Sequence, residues 1–161
     1  MYPITTATKK DLTELMELYR SLFDTPGCTW SDDYPTEDII AADLLAEHLF
    51  CMKNEKGKII AAVSIENDPA VACLTNWTIP SETVMEISRV AVHKDYHGNG
   101  FARMMISYAM DYLKQQHYDG AHFLVSQHNL RALMSYAPLG FTCCGHSHLF
   151  DQDWYCYEKR F

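Results

Sequence analysis

The spacing of hydrophobic residues along the chain predicts an alternation of helices and strands. Apolar side chains recur at helical spacing over residues 9–22, 36–49, 100–116 and, in a shorter segment, 129–137. Extended apolar and aromatic runs predict seven strands, at residues 2–6, 50–53, 59–65, 83–92, 121–126, 141–149 and 154–161. Residues 66–81 contain two prolines and no clear period, so no element is predicted there.

The order of these elements indicates an α/β (α+β) fold. Antiparallel pairs come first and strand–helix–strand units follow, so we expect a mixed, mostly antiparallel central sheet with helices on both faces. The chain of 161 residues contains no repeat or linker and is long enough to bury a substantial core. A single domain over residues 1–161 is therefore predicted.

Composition narrows the classes of function. Thirteen basic residues against twenty-one acidic ones give a net charge of −8, which disfavours nucleic acid as a partner. No apolar run reaches the length of about 18 residues needed to span a membrane, and the N-terminus has no signal-peptide pattern. Six cysteines without a CxxC pair are typical of reduced thiols, so a cytoplasmic protein is expected.

A glycine-rich turn separates the strand over 83–92 from the helix over 100–116. It consists of His97, Gly98, Asn99, Gly100, Phe101, Ala102 and Arg103. Glycines let the backbone approach a ligand closely, and the N–H groups that begin a helix hold phosphate, so the turn predicts a pyrophosphate site. A nucleotide P-loop would need Lys-Ser/Thr here, and a dinucleotide fingerprint would need glycine in place of Arg103. A turn with a purely structural role is the remaining alternative.

Two segments of the chain match motifs of a known family. The turn is similar to the pattern Arg/Gln-x-x-Gly-x-Gly/Ala at Gly100 and Ala102, with His97 in place of Arg or Gln. Residues 129–141 are similar to Asn-x-x-Ala-x-x-x-Tyr-x-x-x-Gly-Phe. In both, the chain resembles the GNAT superfamily of acetyl-CoA-dependent N-acetyltransferases. The resemblance implies the acyl-CoA N-acyltransferase (GNAT) fold, acetyl-CoA as cosubstrate and a primary amine of a small molecule or peptide as acceptor. Homodimers also occur in the family.

The resemblance implies two catalytic residues. It places Tyr136 beside the sulfur of coenzyme A, where a phenol protonated at neutral pH can donate to the leaving thiolate. Glu86 lies where some members carry a glutamate that acts as a base through water. Each residue has a structural alternative, because Tyr136 could be a core tyrosine and Glu86 could form an ion pair with Arg89 or lie at an exposed edge. Glu82 is the weaker candidate for the base.

The resemblance also implies where the cofactor lies. The main chain of Val90, Ala91 and Val92 should contact the pantetheine arm as an added strand would and supply the oxyanion donor. Asn129 is a further contact, although capping of its helix explains it equally well. The expected cofactor-binding residues are thus Val90, Ala91, Val92, His97, Gly98, Asn99, Gly100, Phe101, Ala102, Arg103, Asn129 and Tyr136. On a regular strand, Glu86 would share a face with Ser88, Val90 and Val92.

The acceptor site is expected near the loop after the first helix. Phe23, Trp30 and Tyr34 are the candidate substrate-binding residues, and with Asp32 and Asp33 they would suit a cationic amine. Solvation of the protein surface explains the aspartates equally well.

One segment near the end of the chain contains residue types that bind metals. Cys144, His146 and His148 would share one face of a regular strand, but no second ligand cluster accompanies them, so no metal site is predicted.

For the chain as a whole, there are two alternatives to an N-acetyltransferase. One is a catalytically silent acyl-CoA sensor of the same fold, and the other is a dinucleotide-binding domain.

Overall fold

The structure is a computed structural model that describes residues 1–161. Its strands are β1 (Ile4–Thr6), β2 (Leu49–Lys53), β3 (Ile59–Glu66), β4 (Val84–Val92), β5 (Gly120–Ser126), β6 (Thr142–Leu149) and β7 (Gln152–Arg160). Its helices are α1 (Leu12–Ser21), α2 (Glu37–Leu45), α3 (Pro69–Ala72), α4 (Phe101–Gln115) and α5 (Leu130–Tyr136). Every strand and every helix predicted from the sequence is present, with ends shifted by a few residues.

All seven strands form one sheet in the order β1-β2-β3-β4-β5-β7-β6. Every neighbouring pair is antiparallel except β4 and β5, which run parallel and are joined through α4. The predicted mixed, mostly antiparallel sheet is therefore confirmed. The parallel pair lies in the middle of the sheet, where the two strands that flank the glycine turn and its helix meet.

The helices cover both faces of the sheet, as predicted. On one face, Met105 and Ile106 of α4 pack in a buried apolar cluster with Phe50 of β2. On the other face, a second cluster includes Leu15 of α1 and Ile40 of α2. Burial of apolar surface on both sides makes the sheet the rigid centre of the molecule and holds β4 between the two clusters.

The connection between β3 and β4 contains an element that the periodicity does not reveal. Asp68 accepts a hydrogen bond from the N–H of Ala70 at 2.9 Å and caps the four-residue helix α3, which begins at Pro69. The connection is then anchored to β7, because the carboxylate of Glu158 accepts hydrogen bonds from the N–H groups of Thr78 and Ile79. A helix of one turn is too short to produce an apolar period.

A β-bulge in β4 overturns one prediction about the sheet faces. Ser88 is opposite Ser64 and Ala91 is opposite Ala62, so two residues of β4 face one residue of β3. Arg89, in the bulge, has a φ of +48°. Because the extra residue reverses the alternation, Val90 lies on the opposite face from Glu86. The expectation that Glu86 shares a face with Val90 and Val92 is wrong.

A second bulge separates the cysteines and histidines of β6. Cys143 is opposite Tyr157 and His146 is opposite Tyr155, so one extra residue lies between them, and Gly145 has a φ of +96°. Cys144 therefore does not share a face with His146, contrary to the regular-strand expectation. No group of three or more histidine, cysteine or acidic side chains has a metal-binding arrangement. No helix has both the length and the apolar character to cross a membrane.

Candidate active site

A cleft opens where the two parallel strands diverge. The pairing of β4 with β5 ends at Glu86 and His122, although both strands continue beyond that point. The resulting cleft has a volume of about 1250 Å³. Its walls come from the loop between α1 and α2, from β4 and β5, from the glycine turn and from α5. This one cavity therefore contains both the predicted phosphate site and the predicted catalytic residues.

The glycine turn presents unpaired backbone donors at one end of the cleft. Gly98 and Gly100 have φ angles of +82° and +76°, which glycine adopts without strain. Gly100 is the N-cap of α4, with no side-chain bond to the helix, and the N–H groups from Gly98 through Arg103 have no acceptor within the protein. Free N–H groups and the positive end of a helix dipole together form a site for phosphate.

His97 holds a cation beside this turn. Its Nε2 lies 2.7 Å from the carbonyl oxygen of Val92 and must donate to it, so Nδ1 carries the lone pair and accepts from Nη1 of Arg131. Burial lowers the pKa of His97, and the charge of Arg131 lowers it further, which favours this neutral form. Arg131 is exposed and lines the cleft. No local pattern in the sequence indicates this contact, because α5 and the turn are distant in the chain.

Glu86 places an unpaired carboxyl oxygen in the wall of the cleft. The residue is 4% exposed, it lines the cleft, and its Oε2 has no hydrogen-bond partner. Burial raises the pKa of Glu86 well above the ordinary value for glutamate, and the negative charge of Glu66 on the neighbouring strand raises it further. The alternatives of an exposed edge position and of an ion pair with Arg89 are both wrong, because Glu86 is buried and Arg89 pairs with other carboxylates.

Arg89 has partners from three other elements. Its Nε and Nη2 donate to the two oxygens of Asp43 in α2, at 3.0 and 2.9 Å, and Nη2 also contacts Glu66. Its Nη1 donates to the hydroxyl of Tyr34 at 2.8 Å. Burial alone would lower the pKa of Arg89, but Tyr34, Asp43 and Glu66 outweigh that effect and raise it. This network attaches the loop between α1 and α2 to the bulge of β4.

Tyr136 faces the cleft from the end of α5. Its ring packs edge-on against Phe123 of β5, with the ring centroids 5.3 Å apart, and its hydroxyl makes no hydrogen bond within the protein. Burial raises the pKa of Tyr136 above the ordinary value for tyrosine, so the phenol stays protonated over the physiological range. The ring thus packs on the core, and its hydroxyl is left free for a ligand.

Most of the predicted site residues line this one cleft. They are Trp30, Tyr34, Glu86, Val90, Val92, His97, Gly98, Gly100, Phe101, Ala102, Arg103, Asn129 and Tyr136. Three others lie outside its wall. The side chain of Ala91 is buried in the cluster of α1 and α2, Asn99 donates to the carbonyl oxygen of Tyr96, and the wall contains Leu22 in place of its neighbour Phe23.

The loop between α1 and α2 crosses the cleft and touches the opposite wall. A Cβ atom added to Gly27 would lie 2.9 Å from Cα of Asn129 and 3.0 Å from the carbonyl oxygen of His128. Asn129 also caps α5, since its side chain accepts from the N–H of Ala132 at 3.1 Å. The contact at Gly27, which the sequence did not reveal, joins two parts of the cleft wall that are far apart in the chain.

Comparison with known proteins decides the family. The sequence model of the acetyltransferase (GNAT) family matches residues 12–141, which contain the cleft, the turn and Tyr136. The chain belongs to this acetyltransferase family. No curated protein matches the sequence.

Solved structures of GNAT acetyltransferases share the fold over nearly the whole chain. A putative acetyltransferase of Salmonella typhimurium, yncA, solved with acetyl-CoA, is 18% identical, with a TM-score of 0.77 and coverage of 99% of this chain and 94% of its own. The paiA N-acetyltransferase of Thermoplasma acidophilum, solved with coenzyme A, is 13% identical, with a TM-score of 0.75 and coverage of 100% and 99%. The Escherichia coli ribosomal-protein-S18-alanine N-acetyltransferase is 18% identical, with a TM-score of 0.73 and coverage of 99% and 94%.

Proposed function

We propose that this GNAT protein transfers the acetyl group of acetyl-CoA to a primary amine of a small molecule or peptide, by direct attack in a ternary complex. The observation that carries the proposal is that one cleft joins the unpaired N–H groups of the glycine turn to Glu86 and Tyr136. We also place the reaction in the cytoplasm, where the six cysteines, all free thiols, would stay reduced.

The residues of the cleft fit coenzyme A. The free N–H groups of the turn would hold the pyrophosphate, and Arg103 and Arg131 add positive charge at the same end. The bulge leaves Arg89 and Val90 without register partners on β3, so backbone groups there are available to the pantetheine arm and to a developing oxyanion. Acetyl-CoA supplies the activated thioester.

Glu86 is suited to accept the proton of the attacking amine. An amine attacks only in its neutral form, so a base with a raised pKa, next to the reacting atoms, promotes the reaction at neutral pH. The unpaired Oε2 of Glu86 meets this need directly or through one water molecule. The new C–N bond then forms as the amine loses its proton to this carboxylate.

Tyr136 is suited to protonate the leaving sulfur. When the C–S bond breaks, the thiolate of coenzyme A takes a proton from a nearby acid, and the free hydroxyl of Tyr136 is protonated at neutral pH. Glu86 then releases its proton to solvent, and solvent returns a proton to Tyr136. The pair thus balances the proton lost by the amine against the proton gained by the thiol.

The test is acetyl transfer by the purified protein to a panel of primary amines. Thiol release is followed in solution and the acetylated amine is identified by mass spectrometry, while thermal shifts are recorded with coenzyme A, acetyl-CoA and NAD. We expect amine-dependent thiol release and stabilisation by coenzyme A. Stabilisation by acetyl-CoA without any amine product would favour the sensor. Stabilisation by NAD but not by coenzyme A would overturn the proposal.

A further inference from the structure

The end of the cleft away from the glycine turn is lined by acidic side chains from separate elements. Glu66 ends β3, Asp68 caps α3, Glu86 lies on β4 and Asp33 lies in the loop between α1 and α2. Glu66 and Glu86 are directly opposite each other in the sheet. The basic residues of the turn and of α5 lie at the other end, so the cleft is polarised along its length.

The single cation at the acidic end is largely occupied by groups of the protein itself. The donors of Arg89 go to Asp43 and Tyr34 and to the contact with Glu66, which together use four of its five N–H groups. One guanidinium group therefore already faces two carboxylates, and its charge is offset before a substrate binds. An anionic acceptor would meet a net negative charge at this end.

Two buried oxygen atoms without hydrogen-bond partners indicate that a ligand completes this end of the cleft. Oε2 of Glu86 and Oγ of Ser88 are both shielded from solvent and both lack a hydrogen-bond partner, and both residues line the cleft. Buried polar groups in proteins are nearly always hydrogen-bonded, so two unpaired oxygen atoms on residues of the cleft wall indicate that a donor is missing there. The hydrogen-bond donor that suits a carboxyl group here is an amine.

From this arrangement we infer that the acceptor is a diamine or larger polyamine: it carries a second cationic group besides the amine that is acetylated, and no carboxylate. The inference rests on the proposed function. The attacking nitrogen must be neutral when it reacts, so it brings no charge to offset the carboxylates of Glu66 and Asp68. A second ammonium group of the substrate would do so, and the aromatic rings of Trp30 and Tyr34 offer it further contact.

The first test compares acceptors that differ only at the far end of a four-carbon chain. Diaminobutane, butylamine and 4-aminobutanoate present an ammonium, a methyl and a carboxylate there, and their six-carbon equivalents extend the series. We expect kcat/KM with the diamine to exceed that with the alkylamine by about tenfold, which corresponds to 1.4 kcal/mol. The amino acid should be the poorest acceptor. An amino acid that equals or surpasses the diamine at both lengths would overturn the inference.

The second test removes one carboxylate without removing a helix cap. Asparagine caps helices as well as aspartate does, so Asp68→Asn should keep α3 intact. The preference for diamine over alkylamine should fall by about two- to threefold, as for the loss of one partly exposed ion pair. Glu17→Gln removes the same charge from the exposed surface of α1, and the preference should not change. Equal effects of the two substitutions would contradict the inference.

Calorimetry separates this inference from the proposed function. Binding of the same three amines to the protein saturated with coenzyme A requires no turnover. If the diamine binds best but no amine is acetylated, the proposed function fails, while the preference of the acidic end for a dication stands. If amines are acetylated but the amino acid binds and reacts as well as the diamine, the acceptor class fails and the proposed function stands.

Discussion

The two ends of the cleft are built in different ways. The end at the glycine turn uses one continuous segment, residues 97–103, and its ligand groups are backbone N–H groups that any suitable turn can present. The acidic end is held by a network of Tyr34, Asp43, Glu66 and Arg89, which come from four different elements and interact through their side chains. Under the proposed function, the first end would tolerate changes of side chain, whereas the second depends on contacts between particular side chains.

The substitution with the largest expected effect is Glu86→Gln at the junction of the two ends. Glutamine keeps the shape but cannot accept a proton, so kcat/KM should fall by about a thousandfold, within the range for general bases. Affinity for acetyl-CoA, measured by calorimetry, should stay the same. Glu82→Gln is the control, because Glu82 is exposed and outside the cleft wall. A Glu86→Gln enzyme with wild-type turnover would exclude Glu86 as the base.

The same variant should also change the pH dependence of stability. The pKa of Glu86 is raised in the folded state, so its contribution to stability is fully present below the pKa of the unfolded chain. That contribution is lost as the pH rises toward the folded-state pKa, because the unfolded chain releases the proton first. Urea unfolding from acid to neutral pH should show a decline in the wild-type protein that Glu86→Gln reduces. Identical pH profiles would contradict the raised pKa.

The next substitution, Arg89→Met, tests how far the stability of the protein depends on the ion pairs at the acidic end. It leaves Asp43 buried without a cation, so the free energy of unfolding should fall by about 3 kcal/mol, as for broken buried ion pairs. Chemical denaturation measures the loss. Adding Asp43→Asn to the variant should recover part of it, since no buried charge then remains unpaired at that position. A double variant no more stable than the single one would show that the pairing contributes little.

This contrast also explains how much could be predicted from the sequence. The strands, the helices and the glycine turn follow from local periods and from glycines, which report on neighbours along the chain. The faces of β4 beyond Ser88 could not be predicted, because a bulge residue with positive φ, Arg89, has no local signature there. The contact of Gly27 with Asn129 and that of His97 with Arg131 join segments far apart in the chain, so no local pattern contains them.

Tyr136→Phe compares two tyrosines that pack on the same phenylalanine. Tyr136 and Tyr157 both contact Phe123, but only Tyr136 lines the cleft. Loss of the Tyr136 hydroxyl should lower kcat by about thirtyfold with unchanged stability, because the acid is removed and the ring still packs. Tyr157→Phe should keep full activity. Equal rates for the two variants would show that Tyr136 has only a structural role in the core.

The smallest expected effect concerns the end at the glycine turn, where the proposed phosphate contacts are mostly backbone N–H groups. Arg131→Ala should raise KM for acetyl-CoA by about threefold, as for one exposed ion pair, and leave KM for acetyl-pantetheine, which has no phosphate, unchanged. Arg20→Ala, on the exposed surface of α1, should change neither value. A much larger increase in KM for acetyl-CoA with Arg131→Ala would show that this end, too, depends on side chains.

The pH profile of the same KM separates the role of His97 from that of Arg131. Neutral His97 accepts from Arg131 through Nδ1, so protonation of the ring replaces a hydrogen bond with repulsion between two cations. The pKa of His97 is lowered, and KM for acetyl-CoA should therefore rise only below the ordinary range of histidine. His97→Gln, whose amide oxygen can accept but does not titrate, should remove this rise. If the rise in KM persists in His97→Gln, a group other than His97 causes it. The His97 ring would then serve only to fix the end of β4 through Val92.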